Sequence, residues 1–233
     1  MILSSSQQLY NYLDANPALI SPVVEFDPQN DKLLEFDFTS ANKELKPQTV
    51  ADTYQFSLWI NSELNKQKAR YGIGGYNEHR TLYARSAHFN TFEEPRRLHL
   101  GTDIWGPAGT RVYAPLHGKV HSLKFNNNFG DYGATIVLKH NLDGLIVYSL
   151  YGHLNLASLH NLTVGEEIAA GQYFTQFGIP TENGHWPPHL HFQLMFDMGY
   201  FKGDYPGVCR FTQRDIFLQN CPDPMSVLKY SFK

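Results

Sequence analysis

Cysteine is scarce in this chain: two among 233 residues, Cys209 and Cys221, both near the C-terminal end. Two cysteines do not build a disulfide scaffold, and two free thiols are expected. No apolar run approaches the ~18 residues of a membrane-spanning helix. The opening Met1-Ile-Leu-Ser-Ser-Ser-Gln-Gln has no basic region ahead of an apolar stretch, so no secretory leader is read there. A cytoplasmic location is therefore expected, or a periplasmic or extracellular one if a leader has been removed. Charge of one sign is also missing: 19 basic and 22 acidic residues leave −3, which argues against a nucleic-acid partner. Neither an internal repeat nor a low-complexity segment is present. With 42% hydrophobic and 18% charged residues, wholesale disorder is excluded.

What is abundant is 14 Tyr, 16 Phe, 13 Pro and 18 Gly, a mix that favours strands and turns over a helix bundle. The length suits one domain with extensions. Residues 5–15 predict a short helix capped by Ser5 or Ser6. Val23-Val24-Glu25-Phe26 and residues 33–38 predict short strands. Residues 48–70 predict the longest helix, with Val50, Tyr54, Leu58 and Leu64 near one stripe. Residues 71–97 predict a long irregular stretch. From residue 99 the texture becomes short strands over 112–115, 118–123, 134–139, 145–151 and 190–196, with Asp143-Gly144 as a hairpin turn. The expected organisation is an N-terminal helical and strand extension over 1–95, a mainly β domain over 96–198 and a tail over 199–233.

Eleven histidines are many for this length. His88, His117, His121, His140 and His160 fall where ordinary surface or hydrogen-bonded histidines fall. In His189-Leu-His-Phe-Gln-Leu-Met-Phe196, strand alternation puts Leu190, Phe192, Leu194 and Phe196 on one face and His189, His191, Gln193 and Met195 on the other. The two imidazoles would stand ~6.6 Å apart along a strand rising ~3.3 Å per residue. That suits one metal ligand beside a proton-handling group, two ligands with tilted rings, or two histidines on a wet strand face. His99-Leu-Gly-Thr-Asp103 sets an imidazole four residues from a carboxylate. Tyr151-Gly-His153-Leu154 ends a strand whose Val147, Ser149, Tyr151 and His153 share a face. Alone, each pattern is better read as an ordinary surface histidine or a chance pair. Together, His99, Asp103 and one of the 189/191 pair make a two-imidazole, one-carboxylate set of the kind that holds catalytic zinc with a position left for water. The remaining histidines could then act as general base and oxyanion stabiliser. No His-Glu-x-x-His helix is present, which excludes the zincin arrangement.

These segments, taken in order, resemble a known family. His99-Leu-Gly-Thr-Asp103, Pro107-Ala-Gly-Thr-Arg-Val-Tyr-Ala-Pro115, Gly118-Lys-Val120, Tyr151-Gly-His153-Leu154 and Pro188-His-Leu-His-Phe192 are similar to the motifs of the lysostaphin/LytM-type zinc endopeptidases, also called duplicated-hybrid-motif proteins. The resemblance covers about residues 96–197. It implies a mainly β domain with an antiparallel β-sheet groove, carrying an α-containing N-terminal extension, and one Zn2+ per chain. It implies His99, Asp103 and His191 as metal ligands and His153 and His189 as catalytic residues. It further implies hydrolysis of peptide bonds next to Gly or D-Ala, with a peptide or peptidoglycan fragment as substrate. The stretch Thr181-Glu-Asn-Gly-His-Trp-Pro-Pro188 departs from the family pattern. It puts His185 and Trp186 at the groove rim, where Trp186 either stacks on substrate or packs down. Upstream segments of such proteins can cover the groove, so residues 71–97 are a candidate for that, with Asn77, Glu78 or His79 reaching the metal, or else a loop packed on the sheet edge. The competing readings are a catalytically silent or latent module that binds or regulates a partner, and a metal-dependent oxygenase on a β fold. The spacing of the first motif does not suit the oxygenase.

Overall fold

The structure is a computed structural model that describes residues 3–228. In chain order the elements are α1 (Ser5–Ala15), β1 (Leu33–Phe36), α2 (Pro47–Ala51), α3 (Thr53–Gln67), β2 (Tyr71–Gly74), β3 (Leu98–His99), β4 (Thr102–Trp105), β5 (Arg111–Tyr113), β6 (Gly118–Asn126), β7 (Gly133–Leu142), β8 (Leu145–Leu154), α4 (Ala157–His160), β9 (Glu167–Ile168), β10 (Tyr173–Gln176), β11 (His189–Met195), β12 (Val208–Cys209), α5 (Arg214–Asn220) and α6 (Met225–Leu228). Eight strands form one sheet in the order β1-β2-β4-β11-β8-β7-β6-β9. Its pairs are antiparallel except β1 with β2, which run parallel. The protein is thus mainly β on a large mixed sheet. No described helix is long and apolar enough to cross a membrane.

Both sheet faces are covered. Ile104, Ile136, Leu138, Tyr151, Leu190, Phe192 and Leu194 turn to one side and pack with Leu9 and Leu13 of α1 and with Val23 and Val24. On the other side two smaller clusters stand apart. Phe36, Phe38, Phe56, Ile60, Leu64 and Trp105 form one; Leu98, Leu100, Val137, Leu150, Met195 and Tyr205 form the other. The gap between them is a groove floored by β4, β11 and β8. All seven residues of β11 are buried, so the face expected to carry histidines is no solvated edge.

Several local expectations shift. The helix at 5–15 is present, but its cap is Ser4, whose hydroxyl accepts from the Gln7 amide at 3.2 Å; Ser5 and Ser6 lie inside the helix. Val23-Val24 are fully buried but outside any strand. Pro22 and Pro28 remove ladder donors on both sides of this segment, and the Val23 carbonyl accepts from the Tyr113 amide at 2.8 Å. The helix expected over 48–70 is two helices. Asp52 is extended between them, and its carboxylate accepts from the Gln55 amide at 2.9 Å as a new N-cap. This restart rotates the phase, so Phe56, Ile60 and Leu64 are buried while Tyr54 and Leu58 are exposed. Residues 71–97 are not structureless: they hold β2, wholly buried beside β4, and two 3-10 turns.

A buried polar pin joins the far strands. His140 on β7 is fully buried; its Nδ1–H donates to the His117 carbonyl at 2.8 Å, and Ser149 Oγ on β8 lies 2.7 Å from Nε2. Burial lowers its pKa to about 4. A histidine depressed in the folded state is protonated first in the unfolded chain, so its contribution to stability is present above ~6.5 and is lost as pH falls towards the folded value. Urea unfolding at pH 7 and pH 4.5 should show a loss of stability, and His140→Gln should reduce that loss by about 2 kcal/mol; an unchanged pH dependence would exclude this role.

Candidate metal centre

Register builds the site. On β11 and β4, His191 lies opposite Asp103 and His189 opposite Trp105. Alternation sends Leu190 and Phe192 into the core and leaves Asp103, Trp105, His189 and His191 on the groove side. His99 arrives from β3, one turn of chain ahead of β4. Three atoms then converge. His99 Nε2 is 2.9 Å from His191 Nδ1, His191 Nδ1 is 3.0 Å from Asp103 Oδ1, and His99 Nε2 is 3.2 Å from Asp103 Oδ1. All three residues are buried.

The protons of this cluster are committed elsewhere. His99 Nδ1–H donates to the Gly75 carbonyl at 2.9 Å, and His191 Nε2–H donates to Gln193 Oε1 at 2.9 Å. The Gln193 amide is itself oriented, because its Nε2 donates to the Pro206 carbonyl at 3.2 Å. The two nitrogens that face Asp103 are therefore lone pairs. Two lone pairs and a carboxylate oxygen on a triangle of 2.9–3.2 Å sides repel unless a cation joins them. Tetrahedral zinc with ligand distances of ~2.0–2.1 Å sets ligand atoms roughly 3.3 Å apart, so the donor set fits that ion. Burial, followed by the Arg80 charge, lowers the His99 pKa to about 3. Burial by itself would raise the Asp103 carboxyl, but His99 and the Arg80 guanidinium hold it well below the usual carboxylate range.

The other two histidines form a second unit. His189 stacks on Trp105 at 3.9 Å between centroids, and on its other side lies His153 at 4.1 Å. Each gives its Nδ1–H to a backbone carbonyl at 2.8 Å, His153 to Asn183 and His189 to Pro187. Both Nε2 atoms are thus acceptors, and both residues line the groove. Burial pushes His189 down to about 4 and His153 well below the ordinary histidine value, so both rings are neutral at pH 7. His153 does not share the face of Tyr151, contrary to strand alternation. The β7–β8 ladder slips between Ala134 and Ile136, and His153 sits at φ 64. This bulge re-aims its ring: Tyr151 packs with Phe192 in the core, while His153 faces His189 and Trp186.

The loop at 181–188 holds both acceptor carbonyls. Asn183, fully buried, donates to the Gly178 and Trp186 carbonyls and accepts from the Trp186 amide. Trp186 packs down: it is 2% exposed, edge-on to Tyr83 and His189, and forms groove wall. His185 is exposed and stacks on Phe129. Of the upstream candidates, none joins the three-ligand group. Glu78 binds Arg80, Asn77 accepts from Arg214, and His79 meets the Phe211 ring. The segment walls the groove instead, through Arg80, Leu82, Tyr83, His88 and Phe89, and the C-terminal stretch 204–208 supplies the facing wall. Cys209 and Cys221 are free, buried thiols.

Sequence reading missed the partners that orient the ligands. Gln193 was within reach, since it falls two residues after His191 on the same strand face. Gly75 and Asn183 carry no local signal, because they act through positions set by the fold.

Part of the chain is similar to known proteins. Residues 97–202 match the profile of peptidase family M23. Over 109 residues the chain is 31% identical to an L-Ala–D-Glu endopeptidase of Bacillus subtilis, covering 45% of this chain and 31% of that protein. The chain thus spans about a third of the length of that curated relative. Among solved structures, the catalytic domain of lysostaphin from Staphylococcus simulans is 26% identical, with a TM-score of 0.43 over 75% of this chain and 98% of that one. A zinc-containing peptidase from Vibrio cholerae is 29% identical, with a TM-score of 0.34 over 42% of this chain and 27% of that one.

Gly101 makes room for this cluster. A Cβ there would stand 2.6 Å from His191 Cε1 and 2.8 Å from the Phe192 carbonyl. Gly101→Ala should displace the His191 ring and weaken zinc binding by roughly tenfold or more, as disturbed ligand orientation does. Competition with a chromophoric chelator measures this, and unchanged affinity would refute the crowding.

Proposed function

We propose that this chain, whose residues 97–202 match the profile of peptidase family M23, is a zinc-dependent endopeptidase. The observation that carries the reading is the convergence of His99, Asp103 and His191 beside a separate pair of neutral imidazoles. His99 Nε2, Asp103 Oδ1 and His191 Nδ1 would hold the ion, with one zinc per chain. Bound there, zinc supplies a Lewis acid that polarises a peptide carbonyl and lowers the pKa of a water towards ~7.

The protein's own groups handle the protons. His153 and His189 have given their Nδ1 protons to carbonyls, so each acts first at Nε2 as an acceptor. One of them takes the proton of the attacking water. The imidazolium so formed is the donor for the developing oxyanion or the leaving amine. Their low pKa values keep the base form available across neutral pH. The Trp105 ring against His189 fixes the plane of that imidazole. The groove walls from residues 80–89 and 204–208 exclude bulk water from the reacting bond.

The name of the Bacillus subtilis relative, an L-Ala–D-Glu endopeptidase, supports a peptide containing D-amino acids, of peptidoglycan type, as the substrate class; bonds next to Gly or D-Ala, which the motif resemblance implies, are to be screened beside the L-Ala–D-Glu bond. The retention of a complete donor set and of both imidazoles favours catalysis over a silent module.

The test is metal content and turnover on the same preparations. The wild-type chain should carry about one zinc and cleave such peptides. His191→Ala should lose zinc. His189→Ala should keep zinc and lose turnover by about 10²–10⁴-fold, as for a general acid–base group. If His189→Ala lost the metal while His191→Ala kept it, the roles within the pair would be reversed; no zinc in the wild-type protein would overturn the enzyme reading.

A further inference from the structure

Arg80 is fully buried and lies outside the residues that match the family, yet it reaches the metal centre. Its Nη1 donates to Asp103 Oδ2 at 2.5 Å and to Tyr83 Oη at 3.1 Å, and its Nε donates to Glu78 Oε2 at 2.6 Å. Glu78 Oε1 in turn accepts from the Phe38 amide at 3.1 Å. The guanidinium lies 5.2 Å over the Phe38 ring. It occupies space that only a glycine at 74 leaves open, since a Cβ there would stand 2.7 Å from Arg80 Nη2. A fully buried arginine with this many donors engaged is a built feature, not a surface ion pair.

We infer that Arg80 is a positioning residue of the metal centre, and that the upstream segment 74–83 is part of that centre rather than a removable cover over it. The argument rests on the metal-site reading above. Asp103 has two oxygens. Arg80 occupies Oδ2, so Oδ1 alone is turned to the two histidine nitrogens. The carboxylate is thereby held to one ligand atom, which suits a four-coordinate site with a position left for water. The charges are consistent with this role. Glu78 also pairs with Arg80, so the Asp103 charge remains available to a cation, and Arg80 contributes direction to a carboxylate that its charge helps keep ionised. The same segment serves the second ligand, because the Gly75 carbonyl fixes the His99 tautomer. It is also woven into the sheet: the Asn77 amide donates to the His99 carbonyl, the His99 amide to the Glu78 carbonyl, and the Arg80 amide to the Arg97 carbonyl, each at 2.9 Å. Two of the three ligands are thus oriented by residues 75–80, and the third by Gln193.

The test compares the full-length protein with Arg80→Met/Glu78→Gln, which removes the cation without leaving the Glu78 carboxylate unpaired and frees Oδ2 of Asp103. Zinc affinity is measured by chelator competition, the visible spectrum of the cobalt-substituted protein reports coordination, and circular dichroism checks folding. The double variant should bind zinc about 10–100-fold more weakly, as expected for loss of an outer-shell partner. Its cobalt bands should weaken as the freed carboxylate changes its mode of ligation. Arg80→Lys keeps a charge but not the planar fork, and its affinity should fall between the two. It decides the matter if the double variant does not fold. A folded variant that binds zinc within about threefold of wild type, with an unchanged cobalt spectrum, overturns the positioning role while leaving the metal centre intact. A wild-type protein that takes up no zinc overturns the metal-site reading, and this inference with it.

Discussion

The pairing of β4 with β11 is the constraint from which the rest of the site follows. Antiparallel strands set opposed residues within ~4.5–5.5 Å, and this register opposes His191 to Asp103 and His189 to Trp105. One pair is the nucleus of the candidate metal centre; the other is a stacked support for an imidazole. A one-residue slip of β11 would send His189 and His191 into the apolar core and bring Leu190 and Phe192 out, away from Ile104 on β4. Burial of that apolar face, fully sequestered at all three residues, is therefore what holds the chemistry in place.

The site also depends on where each proton is held. Four histidines cluster within the groove, and each has one ring nitrogen bound to a fixed acceptor: Gly75, Gln193, Asn183 and Pro187. Such bonds choose the tautomer and leave the opposite nitrogen with a lone pair. Burial then keeps His99, His153 and His189 neutral. In the ligand set the lone pairs meet one another and a carboxylate, which calls for a cation. In the His153–His189 stack they face open groove, which suits proton transfer. His99, His153 and His189 are all anchored through Nδ1 to a backbone carbonyl, so the two groups differ in what the free nitrogen faces.

The extension ahead of the family-matched region belongs to this economy. β2 lies against β4, and the chain that follows it runs past His99 before turning into the groove wall. The aromatic cluster of Phe36, Phe38, Phe56 and Trp105 packs behind it, which keeps Arg80 dry and its contacts strong. The C-terminal stretch does the same from the other side through Tyr205 and Pro206, whose carbonyls accept from Tyr132 and Gln193.

Local sequence was enough for the strands of the β region and the Asp143-Gly144 hairpin, both residues of which have positive φ. Residue type and spacing also grouped His99 and Asp103 with one of the 189/191 pair, but only the resemblance of the ordered motifs pointed to His191, the member that the fold brings to the other two. It misjudged the 48–70 helix, since Asp52 competes for its own cap, and it set His153 on the face of Tyr151, since a bulge depends on the partner strand. Arg80, Gly75 and Asn183 had no signal at all. Their roles arise from contacts across 23, 24 and 30 residues of chain, and such contacts exist only once burial has closed the sheet on both faces. The residue types that do the chemistry were written in the order of the chain; which nitrogen of each ring is free to act was decided by the fold.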